Sequence, residues 1–108
     1  MIIVTMNDIP GYEVEAVFGE VFGLTVRSRN VFSQLGSAVR SLAGGELKGM
    51  TTMLQQAREQ GIARLVAEAE ARGANAIIAM RFDTSELGST WTEICAYGTA
   101  VRVRQRAS

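Results

Sequence analysis

Residues 46–71 read ELKGMTTMLQQAREQGIARLVAEAEA, and within them Met50, Met53, Leu54, Ala57, Gly61, Leu65 and Ala69 recur at intervals of three and four. That spacing places them on one stripe of an α-helix. Arg58, Glu59, Arg64, Glu68 and Arg72 fall on the other face. Glu68 stands four residues before Arg72, the favourable order for an ion pair along a helix. Gly73 follows and suits the left-handed residue that ends a helix. A long helix is therefore expected from about Glu46 to Ala71. Gly61 sits on the apolar stripe, where glycine costs about 1 kcal/mol relative to alanine, so a neighbouring backbone is expected to approach it closely.

Upstream of this helix the pattern predicts a shorter one. Asn30 is a candidate cap for a helix over Val31–Leu42, with Phe32, Leu35, Val39 and Leu42 on one face and Gly44-Gly45 as the stop. Before that, Tyr12 to Val26 is rich in strand formers but interrupted by Gly19 and Gly23, which predicts a bulge or bend at one of them. Ile2–Met6 is a further short strand, followed by a turn through Asn7-Asp8-Ile9-Pro10-Gly11. Downstream, Ala76–Phe82 and Trp91–Arg104 read as strands joined by a hairpin at Leu87-Gly88-Ser89. The expected architecture is α+β in the order β-β-α-α-β-β, built of antiparallel hairpins and a long helix. It forms a single domain over residues 1–108.

Composition narrows the functional classes. Lys plus Arg equals Asp plus Glu at 11 each, so no net field recruits nucleic acid or an anionic membrane. Histidine is absent, which removes the commonest general base and metal ligand. Cys95 is the one cysteine, so no disulfide forms within the chain and a cytoplasmic location is expected. No apolar run approaches the roughly 18 residues that suggest a membrane span.

The strand patterns point to association. In the strand from Ala76, one face would carry Ala76, Ile78, Met80 and Phe82, and the other Ile77, Ala79, Arg81 and Asp83. In the last strand, Trp91, Cys95, Tyr97, Val101 and Val103 oppose Ile94, Ala96, Gly98 and Ala100. Neither strand alternates cleanly between apolar and polar, as a sheet with one wet face should. Helices of the same chain are expected to cover one face and a second copy the other; the alternative is that the two helices of one copy lie on opposite faces.

Few residues invite chemistry. A hairpin centred on Gly88 would put Asp83 opposite Glu93 and Arg81 opposite Cys95, all on one face. Facing carboxylates repel, so an arginine, a cation or open water must relieve them. Asp83, Glu93 and Cys95 are thus candidate metal ligands, for a divalent ion. Cys95 also reads as a small buried hydrophobe, and Met50 with Met53 as core fillers. Arg27 and Arg29, beside an expected helix start, are candidate anion ligands. Arg102, Arg104 and Arg106 alternate along the chain end and read as a solvated face. No phosphate loop and no Ser-x-x-Lys occurs, and no residue is assigned a catalytic role.

Several segments together resemble the YbjQ-like family: Asn7-Asp8-Ile9-Pro10-Gly11-Tyr12, Gly19-Glu20-Val21-Phe22-Gly23-Leu24, Arg27-Ser28-Arg29-Asn30, Gly73-Ala74-Asn75-Ala76-Ile77-Ile78, and Glu93-Ile94-Cys95-Ala96-Tyr97-Gly98-Thr99-Ala100-Val101. The resemblance runs from Met1 to about Val103. It implies an α+β fold, a ring-forming, dodecin-like homo-oligomer that is most simply a pentamer, and a heavy-metal-binding label without a catalytic motif. The expected function is a small oligomeric binding or assembly protein holding a metal or small ligand at the ring axis or subunit interface. The alternative is an enzyme with an acid–base site between subunits, drawn from Asp83, Glu93, Arg81 and Tyr97. The expected partner is the chain itself, with neither nucleic acid nor membrane.

Overall fold

In the computed structural model, residues 1–28, 48–88 and 91–107 are described. The elements are β1 (Ile2–Ile3), β2 (Tyr12–Ser28), the helix α1 (Lys48–Ala71), β3 (Ala76–Leu87) and β4 (Trp91–Gln105). The shorter helix expected over Val31–Leu42, its Gly44-Gly45 stop and Arg29 lie outside the described residues.

The strands form one sheet in the order β1-β3-β4-β2. It is mixed, which corrects the expectation of antiparallel hairpins throughout. β1 runs parallel to β3, with Ile2 opposite Ala76 and Ile3 opposite Ile77, while β2 and β3 both lie antiparallel to β4. The long strands β2 and β4 satisfy far more backbone groups by pairing with each other than β2 could with two residues of β1.

Helix α1 covers one face of the sheet. Ala57, Leu65 and Ala69 are fully buried and Gly61 is buried with them, as the stripe predicts. Leu54 keeps the spacing but is 40% exposed. It lies a turn before Ala57, whose carbonyl accepts the buried Thr25 hydroxyl at 3.1 Å, so this part of the helix stands near the end of the sheet. Leu65 and Ala69 pack with Val21, Ala74, Ile77, Ala96 and Ala100 in the principal core. A Cβ added at Gly61 would lie 3.4 Å from the Gly23 carbonyl oxygen, in ordinary contact. The tighter side is Gly23, where an added Cβ would overlap the Gly61 carbonyl oxygen and lie 2.6 Å from the Leu65 nitrogen. The close approach expected at Gly61 exists, and the residue that permits it is Gly23.

The helix ends as its sequence indicates. Gly73 has φ 86°, its N–H donates to Glu70 O at 3.0 Å, and Ala74 N donates to Ala69 O at 3.0 Å. This is a Schellman cap, completed by the apolar contact of Ala74 with Ala69 in the core. Asn75 then acts as a strand surrogate. Its side chain accepts from Val103 N and donates to Val103 O, both at 2.8 Å, so β4 stays paired before β3 begins.

Two irregularities decide which side chains share a face. In β2 the register shifts on either side of Ala16–Val17, and Gly19 takes φ 95°, so the bulge expected at one of the two glycines is at Gly19. In β3 the register shifts between Ile78 and Arg81, and Ala79 takes φ 53°. Ala79 N donates to Met6 O at 2.7 Å and Met80 N to Val4 O at 3.0 Å, which fixes the bulge from the outer side. The bulge corrects the simple alternation expected for β3: Ile77, Met80 and Phe82 all pack into the core beneath the helix.

On the opposite face a smaller cluster of Ile9, Ala76, Val101 and Val103 is covered by Ile2, Val4, Tyr12 and Ile78. The N-terminal segment therefore covers one end of that face. Among the described residues, no helix is long and apolar enough to cross a membrane.

Candidate functional site

The other end of the face opposite the helix holds the residues singled out from the sequence. Strand β2 contributes Glu20, Phe22, Leu24 and Val26, which lie opposite Thr99, Tyr97, Cys95 and Glu93 of β4. Strand β3 contributes Arg81, Asp83 and Ser85, opposite Tyr97, Cys95 and Glu93. Residues directly opposite in an antiparallel pair share a face, so all of these lie on one surface. Phe22, Leu24, Val26 and Trp91 are 44–48% exposed, an unusual density of large apolar side chains for one wet patch.

The pairing of Asp83 differs from expectation. Asp83 lies opposite Cys95 and Arg81 opposite Tyr97, while Glu93 lies opposite Ser85. The hairpin is longer by two residues than a turn centred on Gly88 would make it. A shift of two keeps every side chain on its face, so Asp83, Glu93, Cys95 and Arg81 remain together, but the two carboxylates are diagonal neighbours rather than directly opposed.

Arg81 does not neutralise them. Its guanidinium donates to Thr5 O at 2.7 Å and Met80 O at 2.9 Å, tying the N-terminal segment to the β3 bulge. Asp83 Oδ1 accepts from Thr84 N at 3.0 Å. Glu20, Asp83 and Glu93 form no ion pair among the described residues. Their field reaches Cys95. Burial, with Glu93, Asp83 and Glu20 adding to it in that order, pushes the thiol above its ordinary pKa. Cys95 is buried, and both its burial and the carboxylates disfavour the free thiolate. Among the described residues no three or more Cys, Asp or Glu side chains are grouped to hold a metal ion. One copy of the described chain therefore does not complete a metal site.

The remaining candidates are dispersed. Arg27 donates to Gln60 Oε1 at 2.7 Å and is engaged with the helix. Met53 is half-buried, and the Met50 side chain lies outside what is described. Arg102 donates to Gly73 O at 3.1 Å, Arg106 to Tyr12 O at 3.2 Å, and Arg104 pairs with Glu13, with Glu15 3.6 Å away. Glu13, Arg104, Gln105, Arg106 and Ala107 line an open groove of about 460 Å³, at the opposite end of β4 from Glu93.

Residues 1–104 match the model of the YbjQ family, described as "Putative heavy-metal-binding". The chain belongs to this YbjQ-like family. It is 65% identical over 103 residues to a UPF0145 protein of Acidothermus cellulolyticus, covering 95% of each chain. It is 62% identical over 104 residues to a UPF0145 protein of Mycobacteroides abscessus, covering 96% of this chain and 97% of that one. A UPF0145 protein of Lactococcus lactis is 49% identical over 105 residues, with 97% and 96% covered. A crystal structure from Pediococcus pentosaceus, titled as a protein of unknown function in the DUF74 family, superposes with a TM-score of 0.59 at 17% identity. It covers 96% of this chain and 98% of that one, a likeness of fold alone.

In this YbjQ-like domain, sequence reading missed Glu20 as a member of the acidic patch. Its signal was present: Glu20 shares the even-numbered phase of Phe22, Leu24 and Val26 beyond the Gly19 bulge. It also missed Asn75, whose place between a helix-ending glycine and a strand marks it as a connecting residue.

Proposed function

We propose that this YbjQ-like domain is an oligomeric binding module in which a second copy covers the apolar face around Phe22, Leu24, Val26 and Trp91. The carboxylates of Glu20, Asp83 and Glu93 are then brought to the subunit boundary, where they bind a cation or a small cationic ligand. The observation that carries this reading is that large exposed apolar side chains stand next to three carboxylates without an ion-pair partner among the described residues. Such a patch is costly to leave in water and suits an interface with a polar margin. A closed ring of the dodecin-like, pentameric kind is the arrangement the family resemblance favours.

The chemistry of the donors selects the ion. Carboxylate oxygens suit Mg²⁺, Ca²⁺ or Mn²⁺. On this reading the bound ion is a hard divalent one. An acid–base enzyme at the same boundary has less support, because Arg81 is engaged with Thr5 O and Met80 O instead of with Asp83 or Glu93.

Two measurements test the reading separately. Sedimentation velocity should show one discrete oligomer, and a well-folded monomer at micromolar concentration would overturn the assembly. A thermal-shift series should show the melting temperature rising with Mg²⁺, Ca²⁺ or Mn²⁺ but not with Na⁺ at equal ionic strength. Binding adds about 2.7 kcal/mol at a hundred times the dissociation constant. Asp83→Asn with Glu93→Gln should abolish the rise. An unchanged melting temperature in the parent removes the cation and leaves the assembly standing.

A further inference from the structure

The outer edge of β2 is closed by a row of helix side chains. β2 is the last strand on its side of the sheet, so its even-numbered backbone groups point away from β4 without a strand partner among the described residues. Four of them are instead bonded to side chains of α1 and of Arg72, the residue after its end. Arg64 Nη1 donates to Leu24 O, Glu68 Oε2 accepts from Phe22 N at 3.2 Å, and Arg72 Nη1 donates to Glu20 O at 3.0 Å and Phe18 O at 3.2 Å. Glu68 and Arg72 hold each other at 2.8 Å. Gln60, one turn before Arg64, holds Arg27 on the same strand.

The spacing explains why one stripe serves the whole edge. Residues 60, 64, 68 and 72 recur every four positions, about 6.0 Å of helix rise. Outward-pointing strand residues recur every two positions, about 6.6–6.8 Å. The two repeats nearly match, and because α1 runs antiparallel to β2 the order is reversed: Arg64 meets Leu24, Glu68 meets Phe22, Arg72 meets Glu20. The chemistry matches as well. Arginines meet carbonyls, which accept, and the glutamate meets the amide, which donates.

An unpaired edge is a template for a strand of another chain. The sequence beside this edge, Val21-Phe22-Gly23-Leu24-Thr25-Val26, is uncharged and, Thr25 aside, apolar, the composition that strand addition favours. We propose that Arg64, Glu68 and Arg72 form a guard that keeps the β2 edge from accepting a strand of a second copy. Copies are thereby confined to meeting through other surfaces. The guard does not depend on what covers the opposite face.

Amide hydrogen exchange and assembly state test this together. In Glu68→Ala the Phe22 amide should lose protection, on the order of tenfold for one lost charge-assisted bond. The amides of Val21 and Gly23 should stay as in the parent. Glu68→Gln keeps an acceptor oxygen and should leave Phe22 protected. The triple variant Arg64→Ala, Glu68→Ala, Arg72→Ala should form species larger than the parent's, with thioflavin fluorescence. Leu65→Ala, destabilised in the core but with the guard intact, should not. Unchanged Phe22 protection in Glu68→Ala, or equal thioflavin response in Leu65→Ala and the triple variant, overturns the proposal. If the triple variant does not fold, the Phe22 comparison between Ala and Gln at position 68 decides alone.

Discussion

The two faces of the sheet are built from the same strands but by opposite rules. Under the helix the strand residues are small or compact: Gly23, Thr25 and Ala96 lie against the helix at Gly61, and Val21, Ile77 and Ala100 pack with Leu65. On the other face the same strands carry Phe22, Leu24, Val26 and Trp91, large and half exposed. A face that meets a helix of its own chain must match its shape to within an atom, because protein interiors are close-packed. The other face presents bulk and charge instead, the observation on which the proposed assembly rests. Substitutions on the two faces should therefore differ in which equilibrium they move.

The largest contrast is between two leucines. Leu65→Ala should cost about 2–5 kcal/mol of folding stability, the usual range for a fully buried leucine. Leu24→Ala, at 46% exposure, should cost well under that in the folded chain and appear instead as weaker association. Urea melts at low and high protein concentration separate the two. Equal, concentration-independent losses would erase the distinction between the faces. Next comes Gly23→Ala, which forces helix and strand apart where the Leu65 nitrogen lies 2.6 Å from the new carbon. It should cost about 1–3 kcal/mol, the range for overpacking. Gly61→Ala meets only ordinary contacts and gains up to about 1 kcal/mol of helix propensity, so it should be neutral or stabilising, and a thermal melt that ranks the two the other way would misplace the close approach.

Smaller effects sharpen the comparison. Ala79 holds φ 53°, a left-handed conformation that costs a residue with a Cβ roughly 1–2 kcal/mol. Ala79→Gly should stabilise the fold by about 0.5–1 kcal/mol, since glycine's own flexibility offsets part of that gain. A loss of stability would mean that the bulge needs the Ala79 methyl. The smallest effect concerns pH. Burial and three carboxylates raise the Cys95 pKa above 9.0 in the folded chain. The unfolded thiol then ionises first, so this contribution is intact below the ordinary thiol range and is lost as pH rises through the folded value. Subtracting the pH profile of Cys95→Ser from that of the parent should leave a decline confined to pH above 9.0. A flat difference would show that neither burial nor the carboxylates raise the Cys95 pKa in the folded chain.

How much of this was legible in the chain differs by feature. The helix over residues 48–71, its buried stripe, the Glu68–Arg72 pair and the cap at Gly73 follow from local periodicity and from the conformations glycine allows. So does the bulge at Gly19. The common face of Asp83, Glu93, Cys95 and Arg81 was also legible, because strand side chains alternate with a period of two and an error of two in hairpin length does not change it. The diagonal rather than direct placement of Asp83 and Glu93 was not, since it depends on the length of the turn.

What the amino-acid order determined by itself is the set of local elements and the sidedness of their residues, since both depend on neighbours within a few positions. Only the tertiary structure decided that β1 lies parallel beside β3, that Ala79 takes the bulge in a smooth apolar run, and that Arg81 serves Thr5 O instead of Asp83. It also decided that Arg64, Glu68 and Arg72, spaced like any solvated helix face, close the edge of β2. Each of these depends on backbone groups left without partners by strand pairing. Such groups are identical in every residue along the chain, so the side-chain sequence carries no mark of which ones will need satisfying until the strands have met.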